Sequence, residues 1–174
     1  MSREFTLRPC RDTDLETILE IINDAAVAYR GVIPADCWHE PYMSIEHLRR
    51  EIESGVIFLG CEVDGELVGV MGSQSVDDVD LIRHAYVRPG RQRGGIGAKL
   101  IDHLRAQTQR PMLVGTWEDA TWAIDFYRRH GFELVGPEAT SRLLRRYWSI
   151  PDRQAGVSVV LASQRFGEKS GEAS

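Results

Sequence analysis

Gln92-Arg93-Gly94-Gly95-Ile96-Gly97 is the stretch that decides how this chain is read. Val87-Arg88-Pro89 precedes it and the amphipathic run Ala98 to Leu104 follows, so the segment reads as a strand, a glycine-dense turn and the first turn of a helix. The clustered glycines remove the Cβ atoms that would hold a ligand away from the backbone. N–H groups left unpaired at a helix start point to a common spot, where the helix dipole adds partial positive charge. Such a turn suits a phosphate or pyrophosphate. Arg88, Arg91 and Arg93 add mobile positive charge, in a chain whose net charge is -5.

Three phosphate-loop patterns compete for this turn. No Gly-x-x-x-x-Gly-Lys-Ser/Thr string exists. The dinucleotide pattern Gly-x-Gly-x-x-Gly fails because Leu100 stands where its third glycine belongs. The third pattern is Gln/Arg-x-x-Gly-x-Gly/Ala after a strand ending in Val-x-Pro. Gln92, Gly95 and Gly97 match it, with Val87 and Pro89 at the strand end.

That pattern resembles the acetyl-CoA pyrophosphate loop of the GNAT superfamily of N-acyltransferases. Ala123-Ile124-Asp125-Phe126-Tyr127-Arg128-Arg129-His130-Gly131-Phe132 is similar to the family's second signature, a helix ending in Phe-Tyr-x-x-x-Gly-Phe. Met112 to Thr116 resembles the strand between the two signatures. Phe5 to Pro9, followed by Asp14, resembles the family's first strand and helix start. The likeness covers roughly residues 4 to 162, and two glycine motifs in order and spacing are far more specific than either alone.

Along the chain, Phe5-Thr6-Leu7-Arg8 alternates as a half-buried strand does, and Thr13-x-x-Glu16 offers a capping box. Leu15, Ile18, Leu19, Ile22, Ala25, Ala26 and Tyr29 recur at helical spacing, closed by Gly31 and Pro34. Ser44-x-x-His47 opens a second helix. Asp64-Gly65 joins the apolar runs 56–63 and 67–74 as a hairpin, and the next strand spans 80–87. Trp122 to His130 reads as a helix closed by Gly131. Ser141 to Tyr147 fits either a helix or a strand, and 157–162 reads as the last strand. The expected fold class is α/β (α+β), one domain over residues 1–163, followed by a polar, disordered tail over 164–174. The resemblance sharpens this to a mixed, mostly antiparallel sheet with helices on both faces. Its central strands, 80–87 and 112–116, run parallel and splay apart.

The resemblance also implies the chemistry: an acetyl group passes from acetyl-CoA to an amine by direct attack in a ternary complex. Tyr86, Val87 and Arg88 would lie along the pantetheine arm, with a backbone N–H near Val87 polarising the thioester carbonyl. Amides from Gln92 through Arg93, Gly94, Gly95, Ile96, Gly97 and Ala98 would hold the pyrophosphate. Tyr127 sits where the family usually has its general acid; its alternative is a core aromatic. His84 is the first candidate for the base, since an ordinary imidazole titrates near physiological pH; an imidazole packed structurally is the competing reading. Glu118 and Asp119 are the next candidates, also readable as charges at a helix start. One departure is Ala120, where the family often carries an asparagine.

The family's acceptor pocket maps onto Ala25 to Met43 and Leu144 to Pro151, which points to Tyr29, Arg30, Trp38 and Tyr147 as substrate contacts. A small amine bearing a carboxylate or phosphonate suits arginines among aromatics, and the phosphinothricin-acetylating branch is a weaker likeness. Core packing or a solvated face is the alternative for these residues. Three hypotheses stay open: a small-molecule N-acetyltransferase, a non-catalytic acyl-CoA sensor, and a protein or peptide N-acetyltransferase.

Bulk properties bound the rest. The 174 residues suffice for one domain with a sizeable core. The acidic balance argues against nucleic acid, and the short apolar runs argue against a membrane partner. No apolar leader stands at the start, so a cytoplasmic protein is expected. Cys10, Cys37 and Cys61 suggest neither disulfides nor a metal site. A homodimer is the superfamily's usual state.

Overall fold

The computed structural model describes residues 4–92 and 94–163. Arg93, expected to touch the pyrophosphate, and the stretch 164–174, expected to be disordered, lie outside the described residues.

Seven strands form one sheet: β1 (Phe5–Pro9), β2 (Ile57–Val63), β3 (Glu66–Val76), β4 (Val79–Val87), β5 (Met112–Trp117), β6 (Phe132–Leu134) and β7 (Ser158–Ser163), in the order β1-β2-β3-β4-β5-β7-β6. Every neighbouring pair is antiparallel except β4 with β5. The helices are α1 (Leu15–Ala26), α2 (Ile45–Glu53), α3 (Ile96–Ala106), α4 (Thr121–Arg129), α5 (Pro137–Tyr147) and α6 (Asp152–Ala155).

Alternation along the strands sorts the apolar side chains to two faces. Phe58, Leu67 and Val70 meet α1 and α2 through Ile18, Ile21, Ile22 and Leu48. Leu59, Cys61, Val68, Met71 and Ile82 meet α3 and α4 on the opposite face. Leu100 of α3 is 0% exposed there; truncating such a leucine to alanine costs about 2–5 kcal/mol. A third cluster joins α5 to β4, β5 and β7 through Leu143, Leu144, Leu81, Leu113 and Val160.

Two local expectations change. The capping box expected at Thr13 and Glu16 is displaced, because a short 3₁₀ turn over Asp12–Asp14 precedes α1. The Asp14 carboxylate instead accepts the Arg11 backbone N–H at 2.7 Å and pairs with Arg8 at 2.8 Å. Ser141 to Tyr147 resolves as helix. Pro137 occupies the first helical turn, where its missing N–H is harmless, and Thr140, Leu143, Leu144 and Tyr147 share the buried face. Ser44 does cap α2, accepting from the His47 N–H at 3.1 Å.

Candidate active site

The parallel strands β4 and β5 pair only at Asp80–Met112, Leu81–Leu113 and Ile82–Val114. Beyond that point β4 stays with β3 as far as Val87 and β5 stays with β7 as far as Trp117, so the two part. A bulge drives the separation. Val70 faces Tyr86 and Gly72 faces Arg83, leaving His84 and Ala85 opposite Met71 alone. His84 sits there at φ +54°, a left-handed conformation that costs a non-glycine residue about 1–3 kcal/mol and tends to occur at functional sites. The extra residue also resets the alternation. Ile82, Ala85 and Val87 pack on the α3 side, while Tyr86 turns to the α1 side.

The gap exposes backbone. Arg88 N–H donates to Val68 O at 2.8 Å, so the adjacent pair Gly69–Val87 is a non-bonded pair of the ladder. The Val87 N–H therefore points away from β3, toward the space that β5 has vacated. Val87 O faces the same way and accepts from Gln92 Nε2 at 3.2 Å.

The chain then makes a 3₁₀ turn over Pro89–Arg91 and enters α3 with Gly95 as N-cap at φ +79°, a conformation glycine adopts without steric cost. The first N–H groups of α3, on Ile96, Gly97 and Ala98, precede any intrahelical acceptor. At Gly97 a Cβ would stand 3.2 Å from the Phe126 ring, so this glycine lets α4 approach α3 closely. Between the two helices and the open edge of β4 lies a cavity of about 660 Å³. Arg91, Gln92, Gly95, Gly97 and Ala98 form one end; Phe126, Arg129 and His130 line one side; Tyr86, Val87 and Tyr127 stand toward the sheet. Gly94 and Ile96 belong to the turn without forming its wall, and Ile96 is buried against β3.

A smaller chamber of about 160 Å³ lies on the other side of the splay, lined by residues of β4 and β5 with Tyr42, Trp148 and Ser158. It shares Tyr29, Ala85, Tyr86 and Tyr127 with the long cavity. Tyr127 is only 6% exposed and packs edge-on against Phe126 and Phe132. Tyr86 Oη donates to Tyr42 Oη at 3.3 Å, and its ring stands edge-on to Tyr29, 6.2 Å away. Burial, reinforced by the neighbouring Tyr42, pushes the Tyr29 phenol up to about 12. Burial and neighbouring tyrosines hold Tyr86 and Tyr127 well above the usual phenol range. All three are protonated near neutral pH, able to give a proton and unsuited to take one.

His84 also lines the chamber, stacked on Phe58 at 6.2 Å, with Nε2 3.6 Å from Glu51 Oε2. Burial pushes the Glu51 carboxyl up, but His84, Arg83 and His47 more than compensate and bring it to about 2. Arg83 Nη2 donates to Glu51 Oε1 at 3.0 Å and Arg83 Nη1 to Gln74 Oε1 at 3.0 Å.

Other expected residues lie elsewhere. The Arg88 guanidinium turns to α1, pairing with Glu20 at 3.1 Å and Asp24 at 3.3 Å, so it neutralises that helix instead of facing the cavity. Arg30 is exposed and pairs with Glu40 at 2.6 Å, above the ring of Trp38. Trp38 donates to the same carboxylate and stacks on Tyr42, one layer behind the chamber wall. Tyr147 is buried under α5 and donates to Asp78 at 2.6 Å, tying that helix to the turn before β4; its neighbour Trp148 reaches the chamber instead. Glu118 and Asp119 are exposed and outside both cavities, and Ala120 is fully buried at the start of α4. Sequence reading missed Arg83, Glu51, Arg129 and His130. The last two fall inside the second signature, where attention to its C-terminal turn would have found them.

A splayed parallel pair, a glycine-capped helix at its edge and a cavity between them agree with the family comparison. The model for the acetyltransferase (GNAT) domain matches residues 18–145, well over half of the chain. The chain belongs to the GNAT acetyltransferase family. It is thereby an acetyl-CoA-dependent acetyltransferase. Similar solved structures agree on the fold of this acetyltransferase. The PaiA N-acetyltransferase of Thermoplasma acidophilum, in complex with coenzyme A, has a TM-score of 0.68 at 17% identity, over 92% of this chain and 98% of that one. The ribosomal-protein-S18-alanine N-acetyltransferase of Escherichia coli has a TM-score of 0.65 at 17% identity, over 92% and 93%. YncA, a putative acetyltransferase of Salmonella typhimurium with its cofactor acetyl-CoA, has a TM-score of 0.57 at 23% identity, over 76% and 81%. Among the described residues no helix is long and apolar enough to cross a membrane.

Proposed function

We infer that this acetyltransferase acetylates a small-molecule amine, an amino acid or amino-acid analogue being the first class to test, by direct attack within a ternary complex. The observation that carries the reading is the meeting of two cavities at the splay, over Tyr29, Ala85, Tyr86 and Tyr127. The long cavity fits acetyl-CoA, with free N–H groups and Arg91 at the pyrophosphate end and the Val87 N–H along the arm. The chamber takes the amine.

Acetyl-CoA supplies the thioester; the protein supplies positions and protons. The Val87 N–H is aimed where charge develops on the carbonyl oxygen, the role of an oxyanion-hole donor. The amine must lose a proton as its nitrogen bonds to the acetyl carbon. Among the described residues that line the chamber, His84 is the side chain of a type that ordinarily takes a proton near neutral pH. As the carbon–sulfur bond breaks, the protonated Tyr127 gives a proton to the leaving sulfur.

A chamber of about 160 Å³ walled by aromatic rings supports a small acceptor over a folded polypeptide. The test is acetyl-CoA-dependent thiol release against amino acids, amino-acid analogues, polyamines and short peptides. Turnover of small amines with intersecting initial-rate lines is the expected result. Peptides outrunning them would move the reading to protein acetylation, and parallel lines would replace direct attack with a covalent acetyl-enzyme. Acetyl-CoA binding without any transfer would make the chain a sensor. The reading extends to a homodimer in solution, which sedimentation equilibrium tests.

A further inference from the structure

We propose that Glu51 of α2 is a positioning residue for the reaction, holding the His84 imidazole with its Nε2 proton turned toward the carboxylate and its Nδ1 free to take the proton of the amine. The proposal rests on the reading of His84 as the base. Glu51 stands in no expected motif and lies on a helix distant in sequence from the glycine loop.

The geometry is specific. Side-chain exposures are 14% for His84 and 11% for Glu51, so the pair meets away from bulk water. His84 Nε2 is buried and has no hydrogen-bond partner, yet Glu51 Oε2 stands 3.6 Å from it. An ionised carboxylate can only accept, so the tautomer with hydrogen on Nε2 is favoured over the one that turns a lone pair toward it. The other oxygen, Oε1, is already held by Arg83 Nη2 and His47 Nε2, each at 3.0 Å, which leaves Oε2 for His84. Arg83 is itself anchored on Gln74. A long contact in the free enzyme is compatible with a catalytic pair that tightens when charge develops.

Protonation completes the scheme. One N–H bond of the amine breaks, an Nδ1–H bond forms on His84, and the resulting imidazolium faces the Glu51 charge across the same contact. Glu51 stays ionised throughout, as an orienting carboxylate behind a histidine base does. The charged and titratable groups around His84 are Glu51 and His47 from α2, Arg83 from β4, and the phenols of Tyr29, Tyr42, Tyr86 and Tyr127 across the chamber; Phe58 of β2 is apolar. Glu51 is the sole carboxylate that pairs with His84 among the described residues.

The experiment compares wild type, Glu51→Gln, His84→Ala and the double variant, using the best acceptor from the amine panel. Glu51→Gln is expected to lower kcat about 10- to 100-fold, leave the KM for acetyl-CoA within about twofold, and move the acid limb of the kcat profile to lower pH, because a nearby negative charge is removed. In the His84→Ala background it is expected to cost nothing further. If His84→Ala lowers kcat while Glu51→Gln changes neither kcat nor the pH profile, the positioning role is overturned and the base survives. If His84→Ala leaves kcat unchanged, the base reading itself falls. A measurement free of any folding change is the ¹⁵N shift pattern of the wild-type histidines, with His84 assigned by its loss in His84→Ala or by through-bond connectivity. A neutral ring carrying hydrogen on Nε2 supports the proposal, and hydrogen on Nδ1 overturns it.

Discussion

The long cavity and the small chamber share four residues and are built in opposite ways. One end of the long cavity comes from residues close together in sequence, Arg91, Gln92, Gly95, Gly97 and Ala98, shaped by one helix start and one glycine at positive φ. The chamber draws its wall from Tyr29 to Ser158, across both flanks of the sheet. The first is a local feature that any helix after such a turn reproduces. The second exists only because a bulge in β4 swings His84 and Tyr86 toward α1 and α2. The function proposed above therefore assigns affinity for acetyl-CoA to a portable loop, and turnover to an assembled chamber.

That division can be broken by substitutions on each side. His84→Ala, in the chamber, is expected to reduce kcat about 10³-fold, with the KM for acetyl-CoA within about twofold. Steady-state kinetics on the best acceptor measures it, and a rise in KM alone would dissolve the division. Tyr127→Phe comes next, at about 10²-fold in kcat, because a thiol of ordinary pKa leaves with less help than an alkoxide. Gly95→Val, in the loop, forces a branched residue into a left-handed conformation at a cost of about 1–2 kcal/mol. The KM for acetyl-CoA should rise about tenfold while kcat holds. Arg88→Ala should change either constant by less than about twofold, since its guanidinium is engaged with α1.

Asp14 supplies a baseline remote from both cavities. Hydrogen bonding to Arg8, opposed by burial and aided by the Arg11 N–H, lowers its carboxyl from 3.8 to about 2. A depressed carboxyl contributes stability that is whole above the unfolded value and is lost as pH falls through the folded one. Thermal unfolding of Asp14→Asn should thus lie below wild type at pH 7, converge with it near pH 2, and leave kcat unchanged.

Much of the fold was legible. Alternation placed the strands, helical spacing placed α1, and the two signatures placed α3 and α4. Their residues act through local geometry: Gly95 needs its φ, and Gly131 follows the last turn of α4 at φ +88°. The exchange at the start of α1 was not legible, because Thr13 and Asp14 both satisfy capping chemistry and a short 3₁₀ turn chooses between them. The chamber proposed for the acceptor was least legible. Arg30, Trp38 and Tyr147 have the right chemistry for an anionic amine, yet Glu40 and Asp78 engage them first. Trp148 reaches the chamber because α5 ends at Tyr147 and the chain turns outward there.

By itself, the sequence determined the strand–glycine turn–helix unit, the second signature with Tyr127, and through them the family and its co-substrate. Each depends on contacts within a few residues, so spacing alone encodes them. Tertiary structure decided which arginines face the long cavity, which aromatics wall the chamber, and that Glu51 stands beside His84. Those depend on a one-residue bulge that reverses side-chain alternation, and on ion pairs between residues far apart in sequence, such as Arg88 and Glu20, separated by 68 positions. Spacing along the chain carries no record of either.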